Sequence, residues 1–477
     1  MMRRRSGRRY LRLPRVCLYL AAATPMHFLI VPYPERGHME PAMAVAQLLA
    51  RRGHDVTFAA LPDVQPVLEA TGHPCLPLFA DIFPRGRLAQ FEPGKTEGRR
   101  RWHIAQLRQV ICAVDAGAFV ETLQRVRPDL VVLDALFFFL SIPAFEQGVP
   151  AAGLHVTLPW DTSYRVPPLT SGLDHQVSSW YAVRRAGLIL HSAYRDARER
   201  WLDAIGWTLD LKGRVSRMAA RRTPHVRTTR RGHAVHMILD LPEIVLCPRA
   251  FDVPRRARPN RVYVGPTLRD HPADSGFPWE RLSADAPLVY CALGSRVPPY
   301  PHAERLFQAV VRASRDRGMQ VVVATGACPT SRDWYNQPGV TAVAAAPQQA
   351  LLRRASVFVT HAGLGSVKEA IMAGVPMIAF PMLADQPGNA ARIVRHGLGV
   401  AGRGGSVTAA SIGNLIDAVV SDDVRRAATR MRSEFEQEER TNGACQALER
   451  LVVAASGRSR SAGRVPAGAY GQAGDTP

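Results

Sequence analysis

From Met26 onward the chain alternates short apolar runs with segments in helical spacing. "HFLIVPYP" is an apolar run closed by prolines. "MEPAMAVAQLLARRG" repeats its apolar positions at helical intervals and stops at Gly53, and "HDVTFAAL" is apolar again. Strand, helix and strand in that order predict a βαβ unit and hence a parallel sheet. The pattern returns in "LQRVRPDLVVLDALFFF", where Asp134 ends a buried strand, and in "AFEQGVPAAGLHVT", a helix end followed by a strand. Residues 174–211 read as helical. Residues 213–236 are basic and poor in apolar periodicity; they read as a surface loop, either a solvated insertion or an acceptor-side lid.

A further strand, "EIVLC", runs into "PRAFDVPRRARPN", whose prolines and arginines mark a linker. A second series opens at "RVYVGP", with strands in "PLVYCALGS", "MQVVVATG", "GVTAVAAA", "SVFVTH" and "PMIAFP" and a helical end from "VRRAATRMRSEFEQEER" to "ACQALERLVVAA". The expected organisation is an extension over 1–25, one α/β domain over 26–247, a linker over 248–260, a second α/β domain over 261–455 and a disordered tail over 456–477. Two such domains joined by a linker predict a single cleft between them.

Composition supports this picture and removes other classes. A chain of 477 residues, 47% hydrophobic and 21% charged, is globular and long enough for two domains. Its seven cysteines are scattered and odd in number, with no C-x-x-C, which argues against a zinc ribbon or a disulfide framework and suits a reducing cytosol. The formal charge of +21 invites a nucleic-acid reading. Lys95, Lys212 and Lys368 are the only lysines, however, so the charge is an arginine bias, and it collects at the two ends without an RNA-binding or helix-turn-helix signature. No nucleic-acid partner is expected. A basic surface remains compatible with peripheral contact to the inner face of an anionic membrane. The first 25 residues faintly imitate a signal peptide, but their apolar run is too short to span a bilayer and an upstream extension is the preferred reading. A cytoplasmic location follows.

The candidate chemistry begins in "THAGLGSVKEAIMAGVPMIAFPMLADQPGNA", Thr360 to Ala390. A buried strand turns through "HAGLGS" into a helix stopped at Gly374. The first N–H groups of such a helix lack internal partners and form an anion site aided by the helix dipole. Gly363 and Gly365 allow close approach of the backbone to a phosphate. Ser366 reads equally as a helix cap or a phosphate donor, and Glu369 as its capping-box partner or an acceptor for ribose hydroxyls. His361 can donate to the same phosphate. It is disfavoured as a metal ligand, because no second His or Cys lies at ligand spacing.

Taken together, "PQQALLRRASVFVTHAGLGSVKEAIMAGVPMIAFPMLADQ" resembles the donor-binding signature of the GT1, or UDP-glycosyltransferase, family, H-x-G-x-x-S-x-x-E…G-V-P…P…D-Q. The resemblance spans Met26 to about Leu451, is strongest in the second domain, and is to bacterial members related to zeaxanthin and macrolide glycosyltransferases. It implies the GT-B fold, with two Rossmann-like domains facing across a cleft, the first binding an acceptor and the second a nucleotide sugar. By this resemblance His361, Gly365 and Ser366 bind the diphosphate, Glu369 the ribose, Asp385 and Gln386 the sugar hydroxyls, and Gln348 lies by the base. Gly294-Ser295, closing "CALGS", approaches the phosphates. The plant branch places a tryptophan where this chain has Ala345 and Trp-Asn where it has Leu364-Gly365. UDP-glucose is the expected donor, with a TDP-sugar as the alternative.

Two further residues gain roles in the same way. "ERGHMEP" puts His38 at the end of the first strand, where it reads as a polar cap or a general base; the family's G-H-x-x-P carries its catalytic histidine there. Asp134 needs a partner because burying a bare carboxylate is costly, and in the family an aspartate at this strand end orients that histidine. Leu136 to Leu140 read as core packing, with an acceptor pocket as the alternative. The resulting expectation is inverting transfer of a hexose to a hydrophobic small-molecule hydroxyl, with no metal, since no Asp-x-Asp site accompanies the motifs, and no resident cofactor. A nucleotide-sugar 2-epimerase and a non-catalytic nucleotide-sugar binding protein are the alternatives.

Overall fold

The computed structural model describes residues 24–88, 96–163, 166–173, 210–230, 232–271, 276–294, 302–326, 337–403 and 407–462, with Tyr335 and six isolated positions between 174 and 209. The expected extension before Thr24, most of the 174–211 segment, Ser295 and the tail beyond Ala462 lie outside them.

Among the described residues, thirteen strands form two sheets. The first holds β1 (His27–Val31), β2 (Asp55–Ala60), β3 (Cys75–Pro77), β4 (Leu130–Asp134), β5 (Ala151–His155), β6 (Glu243–Val245) and β7 (Arg261–Tyr263) in the order β3-β2-β1-β4-β5-β6-β7. The second holds β8 (Leu288–Ala292), β9 (Gln320–Ala324), β10 (Val340–Val343), β11 (Ala355–Thr360), β12 (Met377–Ala379) and β13 (Gly399–Ala401) in the order β10-β9-β8-β11-β12-β13. Every ladder is parallel. Parallel strands are covered on both faces, which is why they read as continuous apolar runs. In β8, Leu288, Tyr290 and Ala292 enter one core and Val289 and Cys291 the opposite one, the two-residue alternation of a pleated strand. The expected α/β fold of two Rossmann-like domains is the observed one.

Three expectations are corrected by packing. Arg261–Tyr263 does not open the second sheet; it pairs with Glu243–Val245 at the edge of the first, so the expected linker over 248–260 instead connects two strands of one sheet. The C-terminal helix Gly443–Ala462 does not belong to the second domain's core and continues past Ser456. Its Ala444, Cys445, Ala447, Leu448 and Val452 join the first core, and Glu449 takes Arg52 Nε at 2.5 Å and meets His54 Nε2 at 3.0 Å. The basic segment is not a loop throughout: Leu211–Arg222 is a helix that buries Val215, Met218 and Ala219 at i, i+3 and i+4, with Arg222 on Glu146 and Arg221 on Asp115. Among the described residues no helix is long and apolar enough to cross a membrane.

Candidate active site

Strand order places the site. In the first sheet the order reverses between β1 and β4, and the crevice outside the carboxyl ends of such a pair is where α/β sheets bind ligands. His38 lies in the first turn of helix Arg36–Arg51, just after β1, and Asp134 is the last residue of β4. His38 Nδ1 and Asp134 Oδ2 are 2.7 Å apart, with side-chain exposures of 17% and 3%. Asp134 Oδ1 also accepts the Leu136 N–H at 2.9 Å, so its burial is compensated on both oxygens. Because Nδ1 faces a carboxylate it carries the proton, and Nε2 is left as the basic nitrogen. Burial pulls the ring's pKa down. Asp134, through charge and hydrogen bond, outweighs it with help from Glu35 and Asp385, and the net shift is upward from 6.5. Tyr33 packs 5.3 Å from the His38 ring and 5.5 Å from Phe137, while Phe138, Phe139 and Leu140 are core residues.

The second sheet reverses order between β8 and β11. His361 follows β11, and its ring is pressed between two glycines. A Cβ at Gly294, at the end of β8 with φ +82°, would lie 2.6 Å from His361 Nε2, and one at Gly363 would overlap the same atom. Burial drags the His361 pKa down to about 4 against the pull of the Ala292 backbone, so the ring is neutral at physiological pH; its Nδ1 is buried without a hydrogen-bond partner. Ala362 holds a φ of 63°, sparsely populated for alanine and of a kind that collects at ligand sites. Helix Leu364–Ala373 follows, and its first internal bond runs from Val367 N to Gly363 O at 3.0 Å. The N–H groups of Leu364, Gly365 and Ser366 precede that bond and have no acceptor within the helix. Nothing would meet a Cβ on Gly365, so a ligand can approach there directly.

The capping-box alternative is not realised. Gly363 is the N-cap, without a side-chain cap, and Ser366 lies inside the helix. Ser366 Oγ and Glu369 instead share the amide of Gln348, whose Nε2 lies 3.1 Å from Ser366 Oγ and also meets Glu369, while Tyr290 Oη donates to Gln348 Oε1 at 3.3 Å. Gln349 Nε2 reaches Glu369 Oε1 at 3.2 Å and the Arg269 carbonyl at 2.7 Å, and Arg269 pairs with Glu40 of the His38 helix at 3.3 Å. Lys368, buried on the other side of the same helix, donates to Leu246 O at 2.9 Å and Pro266 O at 2.6 Å. The expected base and ribose residues are therefore together, and both faces of their helix are tied to the first half of the chain.

Asp385 and Gln386 begin helix Gln386–Arg395. Burial pushes the Asp385 pKa up, opposed by the Asn389 hydrogen bond and by His38 and Arg392. The Glu40–Arg269–Gln349–Glu369 chain of contacts ties the His38 helix to the second switch point, so both switch points border one cleft. Gln386 spends its oxygen on the Met382 and Leu383 N–H groups, at 2.9 and 3.1 Å, leaving its amide nitrogen for a ligand. Asn389, which the sequence reading passed over inside "DQPGNA", joins the two motifs: its Nδ2 donates to Ala362 O at 3.0 Å and Asp385 Oδ2 at 2.9 Å.

Elsewhere, His155, His236 and Glu243 bring three potential metal-ligating groups together. The two imidazoles are stacked with an interplanar angle of 13°, so their in-plane lone pairs cannot converge on one ion, and Arg261 Nε already occupies Glu243 Oε2 at 2.5 Å. This is a buried ionic cluster.

Comparison with known proteins extends the geometry. Residues 225–439 match the model of the family described as UDP-glucoronosyl and UDP-glucosyl transferase. The chain is 28% identical over 377 residues to a zeaxanthin glucosyltransferase from Pseudescherichia vulneris, covering 78% of this chain and 85% of that one. It is 29% identical over 455 residues to an oleandomycin glycosyltransferase from Streptomyces antibioticus, covering 93% and 95%. Among solved structures it superposes on the kitacinnamycin glycotransferase with a TM-score of 0.63 at 23% identity, covering 90% of this chain and 99% of that one, and on the calicheamicin glycosyltransferase CalG4 with 0.61 at 22%, covering 92% and 100%. With a reversed strand order in each sheet and relatives aligned along most of their own length, the chain is a glycosyltransferase of the GT-B fold, and its residues 225–439 are similar to the UDP-glucoronosyl and UDP-glucosyl transferase family.

Proposed function

We propose that the enzyme moves a hexose, glucose from UDP-glucose, onto a hydroxyl of a hydrophobic small molecule such as a carotenoid, a polyketide or a lipid. The observation that carries this reading is the juxtaposition of the His38–Asp134 pair with a helix N-terminus and an adjacent carboxylate, Asp385, across one cleft. The first half of the chain binds the acceptor and the second, between β7 and the C-terminal helix, binds the donor. An acceptor O–H gives its proton to His38 Nε2, and the oxygen attacks C1 of the sugar from the face opposite the nucleotide. The C1–O bond breaks, its electrons go to the departing diphosphate, and the anomeric configuration inverts. The open N–H groups before Val367, with Ser366 and the neutral His361, receive the developing negative charge. Gly363 and Gly294 keep the His361 ring in place, Glu369 and Gln348 take ribose and base, and Asp385 and Gln386 take the sugar hydroxyls. Ala345 supplies no stacking ring, which keeps a TDP-sugar as the second donor.

Calorimetric titration with UDP-glucose and TDP-glucose tests the donor. Glu369→Ala is expected to weaken the preferred nucleotide by about tenfold or more, the scale of lost charged hydrogen bonds to two hydroxyls; an unchanged affinity removes the ribose role. The base has its own signature. Since only the neutral imidazole accepts a proton and its pKa is raised, kcat/KM is expected to rise with pH through a midpoint above 6.5. Asp134→Asn leaves burial without the opposing charge, so that limb moves to lower pH and its plateau falls on the order of 10²–10⁴-fold. An unmoved limb contradicts the pairing.

A further inference from the structure

Helix Gln386–Arg395, which starts at the Asp385–Gln386 pair, is held from the acceptor half of the molecule. Arg392, with 1% side-chain exposure, donates to Asp252 Oδ1 from Nε at 3.0 Å and from Nη2 at 2.6 Å, and to Gly388 O at 2.8 Å. Asp252 lies in the connection between β6 and β7 of the first sheet. Its other oxygen takes Arg255 Nε at 2.6 Å and Tyr263 Oη at 2.8 Å, and Tyr263 belongs to β7 of the first sheet. Arg255 continues the chain of contacts to the Asp161 carbonyl at 2.7 Å. One buried carboxylate therefore joins the helix to the first half of the protein rather than to its own sheet.

A second contact fixes the distance. A Cβ on Gly388 would stand 2.6 Å from the Leu169 carbonyl oxygen and 2.7 Å from its Cα, backbone atoms that cannot turn aside. Gly388 lets the helix lie flat on Leu169–Ser171 of the first half. The helix is thus fixed in direction by Arg392 and in distance by Gly388, with Asp385 at its start.

We propose that Asp252 and Arg392 are a positioning pair that sets the sugar-binding Asp385 and Gln386 against the acceptor half of the molecule. This rests on the donor reading above. The nucleotide cradle, His361 to Glu369, stands on a different helix that has its own tie through Lys368 to Leu246 and Pro266. Disturbing the pair should therefore damage recognition of the sugar and spare recognition of the nucleotide, a split that a merely structural ion pair would not produce.

The test uses the full chain and measures Kd for UDP, UDP-glucose, TDP and TDP-glucose in wild type, Arg392→Met and Gly388→Ala, with Asp385→Asn as the reference for a lost sugar contact. Both positioning variants are expected to keep the nucleotide Kd within about twofold and to raise the Kd of the preferred nucleotide sugar about tenfold, as Asp385→Asn does. A parallel rise for nucleotide and nucleotide sugar, or an unchanged ratio in variants with native circular dichroism, overturns the proposal. If Arg392→Met does not fold, Asp252→Asn replaces it with the volume preserved, and Gly388→Ala is read on its own. If the wild type binds neither nucleotide the donor reading itself falls; if it binds and only the ratios are unmoved, the positioning pair alone falls.

Discussion

Replacing His38 by alanine is expected to lower hexose transfer on the order of 10²–10⁴-fold while nucleotide affinity stays within about twofold. The separation follows from the layout. His38 projects from the first switch point, and its hydrogen-bond partner, Asp134, is on the same sheet. The groups proposed to meet the nucleotide stand beside the second sheet and bond among themselves: Gln348 to Ser366, Glu369 and Tyr290, and Gln349 to Glu369. Removing the imidazole leaves these bonds intact. It also leaves Asp134 buried with only the Leu136 N–H, so some loss of stability accompanies the loss of rate. Retained turnover in a folded variant would remove His38 as the base.

The second large effect concerns stability. Asp252→Ala strips the acceptor from two buried guanidiniums, Arg255 and Arg392, and from Tyr263 Oη. Removing one partner of a buried charged group costs about 3–5 kcal/mol, because the remaining charges stay desolvated. Against a total stability of roughly 5–15 kcal/mol this is a large share, and a fall in melting temperature on the order of 10 °C is expected by differential scanning calorimetry. An exposed pair such as Arg432–Glu436 should contribute less than about 1 kcal/mol. The pH sign is also fixed. Burial raises the Asp252 pKa but Arg255 and Arg392 hold it below 3.8, so the contribution is complete above the unfolded value and disappears only as pH falls through the lowered one.

The sequence made some of this legible for physical reasons. Strands covered on both faces announce themselves as apolar runs, and residues at or just beyond strand ends such as His38, Asp134 and His361 are placed by that pattern alone. The order of strands within a sheet is a matter of long-range pairing, so nothing in "RVYVGP" distinguishes the last strand of the first sheet from the first of the second. The C-terminal helix has an apolar face in either domain, and it is its docking in the first core, with Glu449 on Arg52 and His54, that assigns it. The helix Leu211–Arg222 was obscured because its buried Val215, Met218 and Ala219 are diluted by surface arginines. In an arginine-rich chain Arg392 looks like any other, and its distinction is geometric: it is buried on Asp252. Ser366 and Glu369 had the spacing of a capping box, yet the helix starts early enough that Ser366 falls inside it and both side chains turn to Gln348.

The most direct measurement incubates the purified full chain with UDP-glucose or TDP-glucose and a panel of hydrophobic alcohols, and follows acceptor mass beside a His38→Ala control. The account predicts the gain of one hexose on at least one acceptor, release of an equivalent amount of nucleoside diphosphate, and loss of both in the control. Consumption or isomerisation of the donor without an acceptor, or equal product from the His38→Ala enzyme, would contradict it.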